Sequence, residues 1–130
     1  MPLAVHVNES ERLRYTVASG KVTDRDVLET YGEMLADPTF DPTLDHLVDM
    51  SAVEEFEITS AVIRGLAEFM AFADGALPEG MRRKAAIVAT TPQTVAAVLL
   101  YRSRRVLQQA PVTVRSFRTI EDAKSWLGRG

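Results

Sequence analysis

The sequence predicts an α/β domain: a mixed sheet of about five strands, opened by an antiparallel hairpin and otherwise mostly parallel, with about four helices. Two observations carry that prediction. Short β-like runs alternate with helical runs in the order β-β-α-β-α-β-α-β-α. The helical runs are announced by threonines at cap positions and ended by glycine or proline. At 130 residues and 46% hydrophobic content, one domain with its own core is expected, needing no metal or disulfide.

The elements follow in order. Leu3, Val5 and Val7 alternate with Ala4, His6 and Asn8, which predicts a first strand. A polar turn over Asn8-Glu9-Ser10-Glu11 leads to Leu13, Tyr15 and Val17, alternating with Arg12, Arg14 and Thr16. That second run reads as a strand with one wet face, and the pair as a hairpin that Gly20-Lys21-Val22-Thr23 brings to an end. Thr23 is a natural N-cap, with Asp24 and Asp26 where negative charge meets the helix dipole. Val27, Leu28, Tyr31, Met34 and Leu35 follow at helical spacing, and the helix should stop before Pro38.

Leu44 to Met50 predicts a buried strand ending in a polar turn. A helix then begins at Thr59, with Val62, Ile63, Leu66, Phe69, Met70 and Ala73 as a broad apolar stripe. Ala85 to Ala89 is a continuous apolar run, as expected of a strand covered on both faces. Thr91-Pro92 sets threonine at N-cap and proline at the first helical position, and this helix should run to about Gln109. Val112, Val114 and Phe117 mark a last strand, and Thr119 caps a final helix holding Ile120, Ala123, Trp126 and Leu127.

Composition narrows the function classes. There is no cysteine, so disulfides, thiol catalysis and cysteine-based zinc sites drop out, and a cytoplasmic setting is the natural expectation. The opening residues carry no leader pattern, and the longest uncharged stretch, Ala85 to Tyr101, is too short and too polar for a membrane span. Net charge is −3, but residues 1–63 carry −9 and residues 64–130 carry +6. A fold that intermixes the halves would cancel this imbalance, which is the expectation here. Nucleic-acid binding lacks a basic domain charge and interleaved aromatics. No Gly-x-Ser-x-Gly elbow, phosphate-binding glycine loop or His-Glu-x-x-His motif is present, so no catalytic residue, metal or cofactor is predicted.

The chain resembles the SpoIIAA-like proteins, a branch related to STAS domains and described as STAS/SEC14-like. The resemblance spans roughly residues 11–128. It rests on Tyr15-Thr16-Val17-Ala18-Ser19-Gly20-Lys21-Val22-Thr23, Asp37-Pro38-Thr39-Phe40, Leu47-Val48-Asp49, Ala86-Ile87-Val88-Ala89 and Glu121-Asp122-Ala123-Lys124-Ser125-Trp126-Leu127, in that order. It implies a SpoIIAA/STAS-like fold and a non-catalytic regulatory or protein-interaction module. Its models are bacterial anti-sigma factor antagonists, switched by phosphorylation at the start of the helix after a central strand. Asp49-Met50-Ser51-Ala52-Val53 is similar to the first part of the STAS motif. Glu57-Ile58-Thr59-Ser60-Ala61 keeps the hydroxyls of the second part but lacks its preceding Asp and following Gly. The SEC14 side implies instead a lipid-like or other apolar ligand between helices and sheet.

Candidate sites follow. Thr59 and Ser60 are a regulatory, phospho-acceptor or anion site, or else a simple helix cap. Asp49 and Ser51 stand at a strand end, where open α/β sheets bind ligands, or else close a turn. Ile63, Leu66 and Met70 would line an apolar pocket of at least ~300 Å³ between their helix and the sheet. Phe69, Met70 and Phe72 are otherwise core or a dimer contact. His46 is read as structural, on the opposite strand face from Asp45 and Asp49. Arg82-Arg83-Lys84, Arg102, Arg104 and Arg105 read as a solvated face, or as acceptors of an anionic partner. The hairpin leaves a sheet edge, so a homodimer is expected.

Overall fold

The structure, a computed structural model, describes residues 2–129. Among them the chain forms β1 (Leu3–Asn8), β2 (Leu13–Thr23), α1 (Asp24–Ala36), β3 (Asp45–Glu57), α2 (Ser60–Asp74), β4 (Arg83–Val88), α3 (Pro92–Leu107), β5 (Val112–Phe117) and α4 (Ile120–Leu127). This is the predicted order. Thr23, Thr59, Thr91 and Thr119 each cap a helix, accepting a backbone N–H from the residue three positions on.

The five strands form one sheet in the order β1-β2-β3-β4-β5. β1 pairs antiparallel with β2, and every other pairing is parallel. Strand order therefore equals sequence order. The acidic first half builds one side of the sheet and the basic second half the other, so the halves lie side by side. Cancellation between the halves comes instead from α4 and the residues after it, where Lys124 pairs with Glu11 and Arg129 with Asp45.

The helices divide unequally between the faces. α4 alone covers one face, where Leu13, Leu47, Ala86, Val88, Ala123 and Leu127 pack with almost no exposure. The other face carries α1, α2 and α3. α1 rests on β1 and β2, and α3 on β3 and β5, while α2 packs mainly against its two neighbouring helices. It spans them like a roof beam above the middle of the sheet.

β2 and β3 are longer than the sequence suggested. β3 does not end at Met50 but runs on to Glu57, paired with β2 alone, because β4 stops pairing at Asp49↔Val88. The register slips twice along this two-stranded arm: Val17 faces Asp49 but Ser19 faces Ala52, and Gly20 faces Val53 but Lys21 faces Glu55. β3 thus holds an extra residue at each slip, as in β-bulges, which bend a strand and sharpen its twist. Val22 and Phe56, paired on this arm, line the cavity described next.

Candidate functional site

A cavity of about 120 Å³ lies between α2 and the sheet. Val48, Met50, Ala85 and Ile87 of β3 and β4 form its base. Ile63, Leu66 and Met70 of α2 line its roof, and Val27, Val98 and Tyr101 its sides. Val48 belongs to the central strand and lies beneath helices, yet it is only half-buried, because it faces this space. The cavity is smaller than the ~300 Å³ expected of a typical ligand pocket. It is close to the roughly 150 Å³ apolar cavity that takes up benzene.

One end of the cavity is polar. Strand alternation and the β2–β3 register set Arg14 beside His46 and Thr16 beside Val48, all on the helix-covered face. Thr16 is fully buried and His46 is 8% exposed. The Tyr31 hydroxyl donates to Thr16 Oγ1 at 3.2 Å, and Thr16 Oγ1 lies 2.7 Å from His46 Nε2. A hydroxyl has one proton and two lone pairs, so Thr16 either donates to a bare His46 Nε2 or accepts from an Nε2–H, and the tautomer of His46 decides which. Burial, reinforced by the charges of Arg14 and Arg83, holds its pKa down at about 3, so it is a neutral donor near pH 7. Burial likewise pushes Tyr101 up to about 12 and raises Tyr31, keeping both phenols protonated.

Behind this polar end lies a buried ionic layer. Arg14, Arg83 and Arg105 are 2%, 5% and 2% exposed. Asp74, near the end of α2, bonds both Arg83 and Arg105, the latter at 2.6 Å. Arg105 also donates to Gln108 Oε1 at 2.8 Å. Arg14 donates to the backbone carbonyl of Asp41, lies over the Phe40 ring, and borders a wider surface groove along β1. Arg14 Nη1, Arg83 Nε and Arg105 Nε are buried without a hydrogen-bond partner. Two readings are corrected here. Arg83 and Arg105 are not a solvated face, and the Arg14–Thr16 side of β2 is not wet. An interior strand of a largely parallel sheet is covered on both sides, so its polar alternation marks a buried polar row.

Thr59 and Ser60 are exposed at the start of α2. Thr59 Oγ1 caps the helix by accepting from Val62 N at 3.3 Å. Its own N–H and hydroxyl donate to the Asp24 carboxylate of α1 at 2.8 and 2.9 Å. Asp24 therefore already sets a carboxylate against the cap residue of this helix. Asp49 accepts the Ser51 N–H at 3.0 Å and the Ser51 hydroxyl at 2.6 Å. This turn does not close the strand; it marks the first bulge, where β4 falls away. By alternation Asp49 lies on the α4 face, opposite the cavity. The structure brings Ile63, Leu66 and Met70 together around the cavity, leaves Thr59 and Ser60 outside its lining, next in sequence to Ile58, and separates Asp49 and Ser51 from both.

Sequence reasoning missed Thr16, Tyr31, Tyr101 and the role of His46. The available signal was a polar residue on every inward position at the start of β2, followed by the one histidine of the central strand. Among the described residues, no group of three His, Asp or Glu side chains gathers as a metal site, and no helix is long and apolar enough to cross a membrane.

No family model and no curated protein matches this chain. Among solved structures it is similar to an uncharacterized protein of the DUF3478 family with a SpoIIAA-like fold, from Shewanella loihica PV-4. The TM-score is 0.57 at 15% sequence identity, over 96% of this chain and 91% of that one. At that identity the likeness speaks to architecture, and the architecture of this chain is the SpoIIAA-like fold.

Proposed function

We propose that this chain is a non-catalytic, STAS-like module that binds a small apolar molecule between α2 and the sheet. The observation that supports the reading is the cavity under α2: a close-packed core leaves few voids larger than a water, yet here the central Val48 is left half-buried beneath a helix. The test is a thermal-shift and NMR titration with benzene-sized apolar probes. Binding should raise the melting temperature and move the methyl signals of Val48, Ile87 and Leu66. Leu66→Phe, which fills the space, should abolish the response. No response in the unaltered protein would remove this reading.

A second reading keeps Thr59 and Ser60 as a regulatory phospho-acceptor site through which a protein partner is controlled. It is favoured by their exposure next to Ile58 and Ile63, both in the cavity wall. A phosphate on Thr59 would displace the Asp24 carboxylate by like-charge repulsion and loosen α1 from α2. Phosphopeptide mapping of protein recovered from its own cells tests it. Absence of phosphate at both positions under all growth conditions removes it.

A further inference from the structure

We infer that the ligand of this cavity is a small monocarboxylate, with an apolar tail of about six carbons beneath α2 and its carboxylate at the end formed by His46, Tyr31 and Tyr101. The inference rests on the binding role proposed above and adds the chemistry of the head group.

Three observations converge on it. First, the polar end is built. A purely hydrocarbon ligand needs no donors, and burying a hydroxyl or imidazole costs free energy unless it is bonded. Yet two phenols and an imidazole stand at one end of an otherwise apolar wall. Second, the polar end has a donor to offer. Tyr31 gives its proton to Thr16, and a neutral imidazole keeps one N–H: with Thr16 donating to His46 Nε2 across their 2.7 Å separation, that donor is Nδ1–H, left for a third party.

Third, the charge behind that end is unbalanced. Arg14, Arg83 and Arg105 are buried, and Asp74 is the one carboxylate in ion-pair contact among them; Asp41 and Asp45 act on Arg14 and Arg83 from further off and are paired with Arg12 and Arg129. Arg14 and Arg83 are also the charges that bear on His46. Each keeps a buried N–H without a partner. A buried positive excess is relieved by an anion, whereas a neutral carbonyl or hydroxyl would satisfy the donor and leave the field uncompensated. A carboxylate presents two acceptor oxygens in a compact plane. The volume left over suits a short aliphatic or monocyclic tail, not a phospholipid.

The test uses the full chain at pH 7, titrated with hexanoate, benzoate, 1-hexanol and benzyl alcohol and followed by calorimetry and NMR. The two acids should bind about tenfold or more tightly than the matching alcohols, as expected for charge-assisted hydrogen bonds. The preference should persist in high salt, because a buried pair is screened little. The relative strength of hexanoate and benzoate then distinguishes a fatty from an aromatic source. Tyr101→Phe should weaken the acids several-fold and leave the alcohols unchanged. His46 ring nitrogen shifts should report Nδ1–H, and this readout keeps the idea testable if the Tyr101 variant fails to fold. Alcohols binding as tightly as acids would overturn the carboxylate assignment and leave the apolar cavity as a binding site. Failure of all four probes would overturn both. An Nε2–H histidine would overturn the directed donor chain on which the head group depends.

Discussion

The two faces of the sheet are built from the same strands and do opposite things. On the α4 face, alternate residues of β2, β3 and β4 meet one short helix and are sealed at the centre, with Leu13, Leu47 and Ala86 at 0% exposure. On the other face, the intervening residues meet three helices and do not close: α2 is held off by α1 and α3, and a cavity with a charged rear wall remains. Fewer helices give the tighter packing because α4 lies directly on the strands. A helix that rests on other helices leaves the sheet beneath it partly unfilled. The sealed core lies on one side and the open space on the other.

Variants can break or sharpen this contrast. The largest effect is expected from Asp74→Asn, which strands Arg83 and Arg105 without their shared countercharge. Losing one partner of a buried ionic cluster costs about 3–5 kcal/mol; urea unfolding measures it, and a loss below about 1 kcal/mol would show that the arginines find other partners. Next come two neighbours on opposite faces. Leu47→Ala should cost about 2–5 kcal/mol by opening a void in the closed face. Val48→Ala, already facing open space, should cost about 1 kcal/mol or less and should enlarge the cavity. Equal costs would erase the distinction between the faces.

A pH series probes the polar end. His46 is held neutral in the folded chain down to about pH 3, against about 6.5 for an ordinary histidine. Between those values the unfolded chain takes up a proton that the folded chain refuses. Its contribution to stability is therefore complete above pH 6.5 and falls as pH drops, by about 1.4 kcal/mol per pH unit. The slope should be shallower by one proton in His46→Gln, measured by denaturation between pH 7 and 4. The smallest effect belongs to Thr59→Ala. It should cost about 1 kcal/mol as a lost cap, and hydrogen exchange should show the start of α2 loosening from α1.

The order of elements was legible because each helix announces itself with a threonine whose oxygen has a stated local partner. Caps are properties of three or four adjacent residues, and sequence displays adjacency. The length of β3 was not legible: Glu54, Glu55 and Glu57 look like a loop, and only pairing with β2 holds them extended. The polar wall was misread for a related reason. Alternation over Leu13, Arg14, Tyr15 and Thr16 shows that two faces differ without showing which one is covered. When both are covered, the polar set becomes an interior feature. Arg83 and Arg105 were hidden the same way, since their common partner Asp74 lies on a different helix. The apolar stripe Ile63, Leu66 and Met70 could be seen in sequence, but that it roofs a space and not a solid core depends on how α2 is propped, which is a tertiary property.

The strict succession of strands across the sheet bears on how the chain is made. Each strand adds beside the one synthesised before it, so the growing polypeptide can zip laterally from the N-terminal hairpin onward without reserving a gap for a later arrival. Contacts that are short in sequence favour rapid acquisition of structure. One contact waits until residue 129 has been made: Arg129 reaches back to the Glu11 carbonyl at 2.9 Å and the Asp45 carboxylate at 2.8 Å. That side chain acts as a latch, fastening the end of α4 to the β1–β2 turn and to the start of β3 after all five strands are in place.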